Sequence, residues 1–194
     1  MFFRMIPLTQ GKFAKVSSKD FAELNQYRWF AIRMKRPDGT TLNWYAARNK
    51  VVDVGKRRTV YMHRQILEIK IGRKLLPFPQ EHTDHKNGDG LDNLRSNLRL
   101  ASPQQNSQNQ THKRQDCSSR YLGVNYEAKS NKWVAFIRDG ARDPQTGSSM
   151  KRCLGRWPAN LKGEKSAAKA YDDAASRSFG EFAKLNFPKK GKAR

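Results

Sequence analysis

The sequence predicts an α+β fold assembled from modules: a small antiparallel sheet module, a centre made of strand, loop and helix, and a three-stranded sheet backed by one helix. Three observations predict it. Short β-forming runs alternate with turns through residues 1–60; a turn-rich stretch dense in Asp, Asn and His occupies the middle; and three further β-like runs precede one alanine-rich helical pattern near the end.

In the first module, residues 1–60, the runs are RMIPL, KFAKV, RWFAIRM, NWYAARN and RTVYM, with Gly11 and the turn Pro37-Asp38-Gly39-Thr40 between them. Ser17 or Ser18 can cap a short helix running through Asn25, with Phe21 and Leu24 turned toward the sheet. Trp29, Phe30, Trp44 and Tyr45 read as core residues of alternating strands in preference to base-stacking platforms. Beside them Arg33, Lys35, Arg36, Lys56, Arg57 and Arg58 cluster at hairpin ends, either as phosphate contacts or as a solvated face.

A second module spans 61–110. It opens with MHRQILEI, expected as a helix with Ile66 and Ile69 inward, and the break Leu76-Pro77-Phe78-Pro79 then leads into the central stretch. The polar run SQNQTHKRQDCSS lacks hydrophobic periodicity, so residues 111–119 read as a linker. Residues 120–188 form the third module, with strands expected in YLGVNYE, KWVAFIRDG and KRCLGRW and a helix from about Glu164 to Ser178 that Gly180 can end. Ala167, Ala168, Tyr171, Ala174 and Ala175 make a stripe that lets this helix lie close on a sheet. A basic tail, 189–194, closes the chain.

Thirty-nine Lys and Arg against seventeen Asp and Glu give a net charge of +22, which makes a polyanionic partner, nucleic acid above all, the expectation. The charge sits at the ends: residues 1–80 carry +12, 81–116 carry zero and 117–194 carry +10. A neutral centre between basic flanks suits a site that holds a cation while its surroundings grip phosphates. Cys117 and Cys153 are too few for a disulfide framework and have no zinc spacing, so reduced thiols and a cytoplasmic setting are expected. No run of 18 apolar residues suggests a membrane span.

The central stretch is HTDHKNGDGLDNLRSNLRLASPQQN, residues 82–106. Asp84 and His85 are adjacent on a β-like segment and therefore diverge. The loop after them contains the turn pairs Asn87-Gly88 and Asp89-Gly90, with Leu91, Leu94, Leu98 and Leu100 to anchor it. Ser102 and Pro103 then announce a helix carrying Asn106. Phosphodiester hydrolysis needs a group that takes a proton from water near neutral pH and a hard cation on the phosphate, and imidazole and oxygen ligands suit those tasks. His82 and His85 lack the further soft ligands a zinc site requires.

This order of strand, loop and helix resembles the ββα-metal fold of the HNH endonucleases, especially phage and intron-encoded homing enzymes with an Asp-His start, over roughly residues 60–110. The resemblance implies His85 as general base, Asp84 and Asn106 as ligands of one divalent metal, Mg²⁺ or Mn²⁺, and Asn97 as the residue orienting His85 or tying the loop. Asn106 stands where the family name has its last histidine, which implies nicking of one strand. The third module resembles the plant ethylene-response-factor (APETALA) DNA-binding domain, most closely in SAAKAYDDAASRSFGEFAKLNFP. That resemblance implies a sheet lying in the major groove, with Asn125, Tyr126, Lys132, Trp133, Arg138, Lys151 and Arg152 as its DNA face. Leu122, Asn125 and Cys153 depart from the plant pattern, so its target sequence does not carry over.

Together these readings lead to an expected metal-dependent, site-specific DNA endonuclease, acting as a monomer on double-stranded DNA and with no membrane partner. A DNA-binding regulator with an inactive nuclease centre is the alternative.

Overall fold

In a computed structural model, residues 2–35, 38–109, 117–140, 142, 144–147 and 150–188 are described. Arg36, Pro37, His112, most of the expected linker and the basic tail lie outside them. The chain divides into two compact units, Met1–Asn106 and Ser107–Arg194.

The first unit begins with β1 (Phe3–Pro7), β2 (Phe13–Ser17) and the helix α1 (Ser18–Leu24). The strands β3 (Phe30–Lys35), β4 (Thr41–Asp53) and β5 (Lys56–Tyr61) follow, then the helix α2 (Met62–Ile71). Next come β6 (His82–His85), β7 (Asp92–Asn93), β8 (Leu98–Ala101) and α3 (Pro103–Gln108). Where the sequence suggested one small sheet in residues 1–60, there are two. β3, β4 and β5 form an antiparallel sheet, whereas β1 and β2 recruit the short β7 from the central loop, in parallel to β2.

Alternation explains what each strand buries. In β1 and β2, Ile6, Ala14 and Val16 face inward while Phe3, Met5 and Phe13 face out. Their inner face meets Leu24 of α1, Trp29, Ala46 of β4, Met62 and Ile66 of α2 and Leu98 of β8 in one cluster. Each large aliphatic side chain there contributes roughly 1.5–3 kcal/mol of burial. Residues before and after position 60 thus share a single core. Trp29 is buried, as expected, and its indole Nε1 donates to Leu24 O at 2.8 Å.

The helix α2 stops at Gly72, whose φ of 74° gives the left-handed turn that ends helices. Its buried positions are Met62, Ile66 and Leu67. Ile69, expected inward, shares a face with Met62 and Ile66 but is exposed in the last turn of α2. The Pro-rich break after α2 is held by Arg64, which donates to Glu81 O at 2.8 Å and Leu76 O at 2.7 Å. Arg73 pairs with the Glu81 carboxylate through both oxygens and pulls its pKa down to about 2.

The second unit contains β9 (Val124–Glu127), β10 (Lys132–Ile137) and β11 (Arg152–Pro158), antiparallel in the order β11, β10, β9, and the helix α4 (Leu161–Phe179). Asn160 caps α4 by accepting from Gly163 N at 2.8 Å. The alanine stripe lies on the sheet as expected: Ala167 and Ala168 pack on Val124 and Ala135, and Ala174 and Ala175 on Ile137. Gly123 permits that closeness, since a Cβ there would stand 2.0 Å from the Tyr171 ring. Buried Asp172 accepts from the backbone N–H of Asn186 and Phe187 at 2.8 and 2.7 Å, tying the LNFP segment to the helix. No helix among the described residues is long and apolar enough to cross a membrane.

Candidate active site

The strand β6 pairs antiparallel with β8, which sets Asp84 opposite Arg99 and His85 opposite Leu98. Asp84 and His85 are both buried. After β8 the chain turns at once into α3. Ser102 Oγ accepts from Gln105 N at 3.2 Å and Gln105 Oε1 accepts from Ser102 N at 2.8 Å, a reciprocal capping box. Asn106 sits half-buried on this helix, its N–H donating to Ser102 O.

Asp84 and His85 face different neighbours. The guanidinium of Arg99 donates to Asp84 Oδ2 at 2.7 Å, and both side chains are nine-tenths buried or more. His85 Nε2 lies 3.2 Å from Asn93 Oδ1. Asn93 is fully buried and donates its amide N–H to Leu91 O, so its oxygen is the atom turned to the histidine. Nε2 therefore carries the proton, and Nδ1 is the basic nitrogen.

Aromatic rings complete the histidine's surroundings. The ring centroid of His63 lies 5.2 Å from that of His85, edge to face, and Tyr45 lies 5.9 Å away. Tyr61 stacks on His63 at 5.4 Å. The Nδ1 atom of His63 is enclosed without a hydrogen-bond partner. Burial lowers the His85 pKa, partly opposed by the Asn93 bond and nearby Asp84, and so favours the neutral imidazole that a base must be. It lowers that of His63 further, with His85 and Arg64 adding to the effect.

Asn97 has the loop-tying role of the two the sequence allowed. It accepts from Asn87 N at 3.1 Å and donates to Asp92 O at 2.7 Å and Asn87 Oδ1 at 3.0 Å. Asn93, unremarked in the sequence, bonds to His85. The N-terminal strands hold the same loop from outside: Asn43 of β4 donates to Gly88 O at 2.8 Å and accepts from Gly90 N at 3.2 Å. At Gly90 a Cβ would stand 2.3 Å from Trp44 O, so only glycine fits. Arg95 pairs with Asp20 of α1, its Nε 2.9 Å from both carboxylate oxygens, and Lys70 of α2 donates to Arg95 O and Leu98 O.

Asp84 offers a carboxylate and Asn106 an amide oxygen, hard donors suited to Mg²⁺ or Mn²⁺ and leaving positions for water and phosphate. Among the described residues, no three His, Cys, Asp or Glu are grouped to hold a metal.

The expected DNA-contact residues fall in several places. Arg33 is exposed on β3 opposite Trp44. Arg57 and Arg58 lie opposite Val51 and Lys50 on a ribbon whose two sides are exposed, and they point to opposite sides of it. In the second unit Asn125 and Lys132 are exposed on the face away from α4, and Arg138 is exposed just beyond β10. Lys151 precedes β11 with its Nζ 3.7 Å from the Phe136 ring centroid, and Arg152 pairs with Asp139. Tyr126 and Trp133 are on the other side: they face each other across β9 and β10 with ring centroids 5.3 Å apart, and Trp133 packs into the core beneath α4. Strand alternation separates them from Asn125 and Lys132, their neighbours in sequence. Arg156, missed in the sequence, is exposed opposite Val134 and pairs with Glu127 at 3.2 Å. As the immediate neighbour of the core-packed Trp157 on β11, it turns to the opposite face of the sheet.

Two comparisons bear on this centre. The HNH endonuclease family model matches residues 60–108. An uncharacterised HNH endonuclease of Acanthamoeba polyphaga mimivirus is 28% identical over 187 residues, 96% of this chain and 81% of that protein. No solved structure matches. Residues 60–108, with the Asp84 and His85 pair at their centre, are the part of the chain that is similar to the HNH endonuclease family.

Proposed function

We propose that the protein is a site-specific DNA endonuclease of the homing type, cutting one strand of double-stranded DNA with a single divalent metal and His85 as general base. The observation that carries this reading is the bond between Asn93 Oδ1 and His85 Nε2, which orients a buried imidazole with Nε2 as the donor and Nδ1 as the nitrogen that takes a proton. Asp84 and Asn106 would hold the cation, Mg²⁺ or Mn²⁺, which when bound supplies charge neutralisation at the phosphate and the leaving oxygen. The imidazole takes the proton of the attacking water, Asn93 stabilises the resulting imidazolium, and the apolar and aromatic walls keep bulk water from the ring.

In the second unit, residues 120–188 act as the DNA reader, consistent with their resemblance to the ethylene-response-factor domain and with Asn125, Lys132 and Arg138 exposed away from the helix. The protein works as a monomer in the cytoplasm of a host cell, encoded by a phage or mobile element. An inactive, DNA-binding regulator is the competing reading. A supercoiled plasmid bearing candidate insertion sites, incubated with and without Mg²⁺, tests both: relaxed circles support nicking, linear product indicates paired cuts, and no metal-dependent product favours the regulator.

A further inference from the structure

Arg99 has no part in the mechanism just described, yet it is ion-paired with the carboxylate proposed to hold the metal. Antiparallel register sets it opposite Asp84, and its Nε donates to Asp84 Oδ2 at 2.7 Å. Burial of both side chains makes the pair hard for water to separate, and removal of either partner leaves a buried charge uncompensated. The lone pairs that bond the guanidinium are those a hard cation would use. A divalent ion arriving at Asp84 also meets a positive charge already in place, in surroundings that screen it little. With Asp84 neutralised in this way, charge favourable to the metal must come from elsewhere, and the phosphate of bound DNA is the group that brings it.

Resting on the metal-dependent reading above, we propose that Arg99 holds Asp84 in an ion pair that opposes metal binding until a DNA phosphate draws the guanidinium away. Metal occupancy is thereby coupled to DNA, and the metal and the duplex each raise the other's affinity by the same factor. The unliganded protein would keep little bound metal and would have a low capacity for indiscriminate hydrolysis.

The test measures Mn²⁺ binding to the full-length protein from the electron paramagnetic resonance signal of free Mn²⁺. Three proteins are compared: wild type, Arg99→Gln and Asp84→Ala. Gln keeps a hydrogen-bond donor and removes the charge, so Arg99→Gln is expected to bind Mn²⁺ about tenfold more tightly than wild type, a typical coupling. A mixed-sequence duplex, corrected for its own Mn²⁺ binding, should tighten wild type by a similar factor and Arg99→Gln much less. Equal or weaker binding by folded Arg99→Gln overturns the proposal. Binding that does not depend on Asp84 overturns the metal-site reading itself, which separates the two failures. If Arg99→Gln does not fold, the wild-type Arg99 Nε–H resonance decides: it should shift as Mg²⁺ and duplex saturate the site, and an unmoved resonance refutes displacement of Arg99.

Discussion

Asn93 Oδ1 stands 3.2 Å from His85 Nε2, and both residues are buried. The amide oxygen can only accept, which makes Nε2 the donor and Nδ1 the base. His85→Ala should therefore lower cleavage by roughly 10²–10⁴-fold while leaving DNA affinity nearly intact. Asn93→Ala should lower it by roughly 10–100-fold through loss of the correct tautomer, the usual scale for a partner that orients a site imidazole. Single-turnover rates and filter binding on the same proteins measure both. Full activity in either variant would remove His85 or its tautomer from the mechanism.

Asp84 is the one carboxylate in β6, and its removal should abolish activity through loss of the cation. Excess Mn²⁺ is expected to restore part of the Asp84→Ala activity, since mass action compensates for a lost ligand. Cleavage by Asp84→Ala at the wild-type rate in low Mg²⁺ would contradict the ligand assignment.

His63 gives the fold a pH dependence of definite sign. Its folded pKa lies well below the ordinary value of 6.5, because burial disfavours the charged ring. As pH falls through 6.5 the unfolded chain takes up a proton that the folded chain refuses, so stability falls; above about 7 the contribution is flat. The loss is up to ~1.4 kcal/mol per pH unit until the folded pKa is reached. His85 contributes in the same direction. Urea titrations between pH 5 and 8 should show a shallower slope for His63→Phe than for wild type, and an unchanged slope would mean His63 is protonated in the fold.

Truncation before residue 117 keeps the first unit whole, because its core is formed entirely by residues before Asn106. The shortened protein is expected to stay folded, to lose specific binding strongly, and to retain slow metal-dependent nicking, since the +10 segment carries phosphate contacts and base readout. Unchanged affinity for a specific site would mean that the reader lies in the first unit.

Arg138 and Lys132, at the two ends of β10, should behave differently. Arg138→Ala is expected to relax preference at one base pair by roughly 1–3 kcal/mol, and Lys132→Ala to weaken all sequences alike and lower the salt slope by about one. Selections from randomised duplexes at two salt concentrations distinguish the two. An Arg138→Ala protein with unaltered preference at every position would rule out docking of this sheet face in the groove.

Local chemistry made much of this protein legible in its sequence. The β-forming runs KFAKV and KWVAFI, the Ser102 and Pro103 start of α3, the alanine stripe of α4 and the glycine-rich turns between Asp84 and Asn97 all act over a few residues. Their consequences follow from strand period, capping and φ preference. Pairings between distant segments were decided only by the tertiary structure. Asn93 reaches His85 because β7 is paired with β2; Arg99 meets Asp84 through the register of β6 and β8; and Asn43, Tyr45 and His63 come to the site because residues on both sides of position 60 share one core. Side-chain facing has the same origin, for Tyr126 and Trp133 look like neighbours of Asn125 and Lys132 until the pleat assigns them to the helix side. Composition and spacing establish which groups are present, whereas packing and register fix which of them touch. Two polar groups in contact set each other's tautomer and charge, and spacing along the chain carries no record of that.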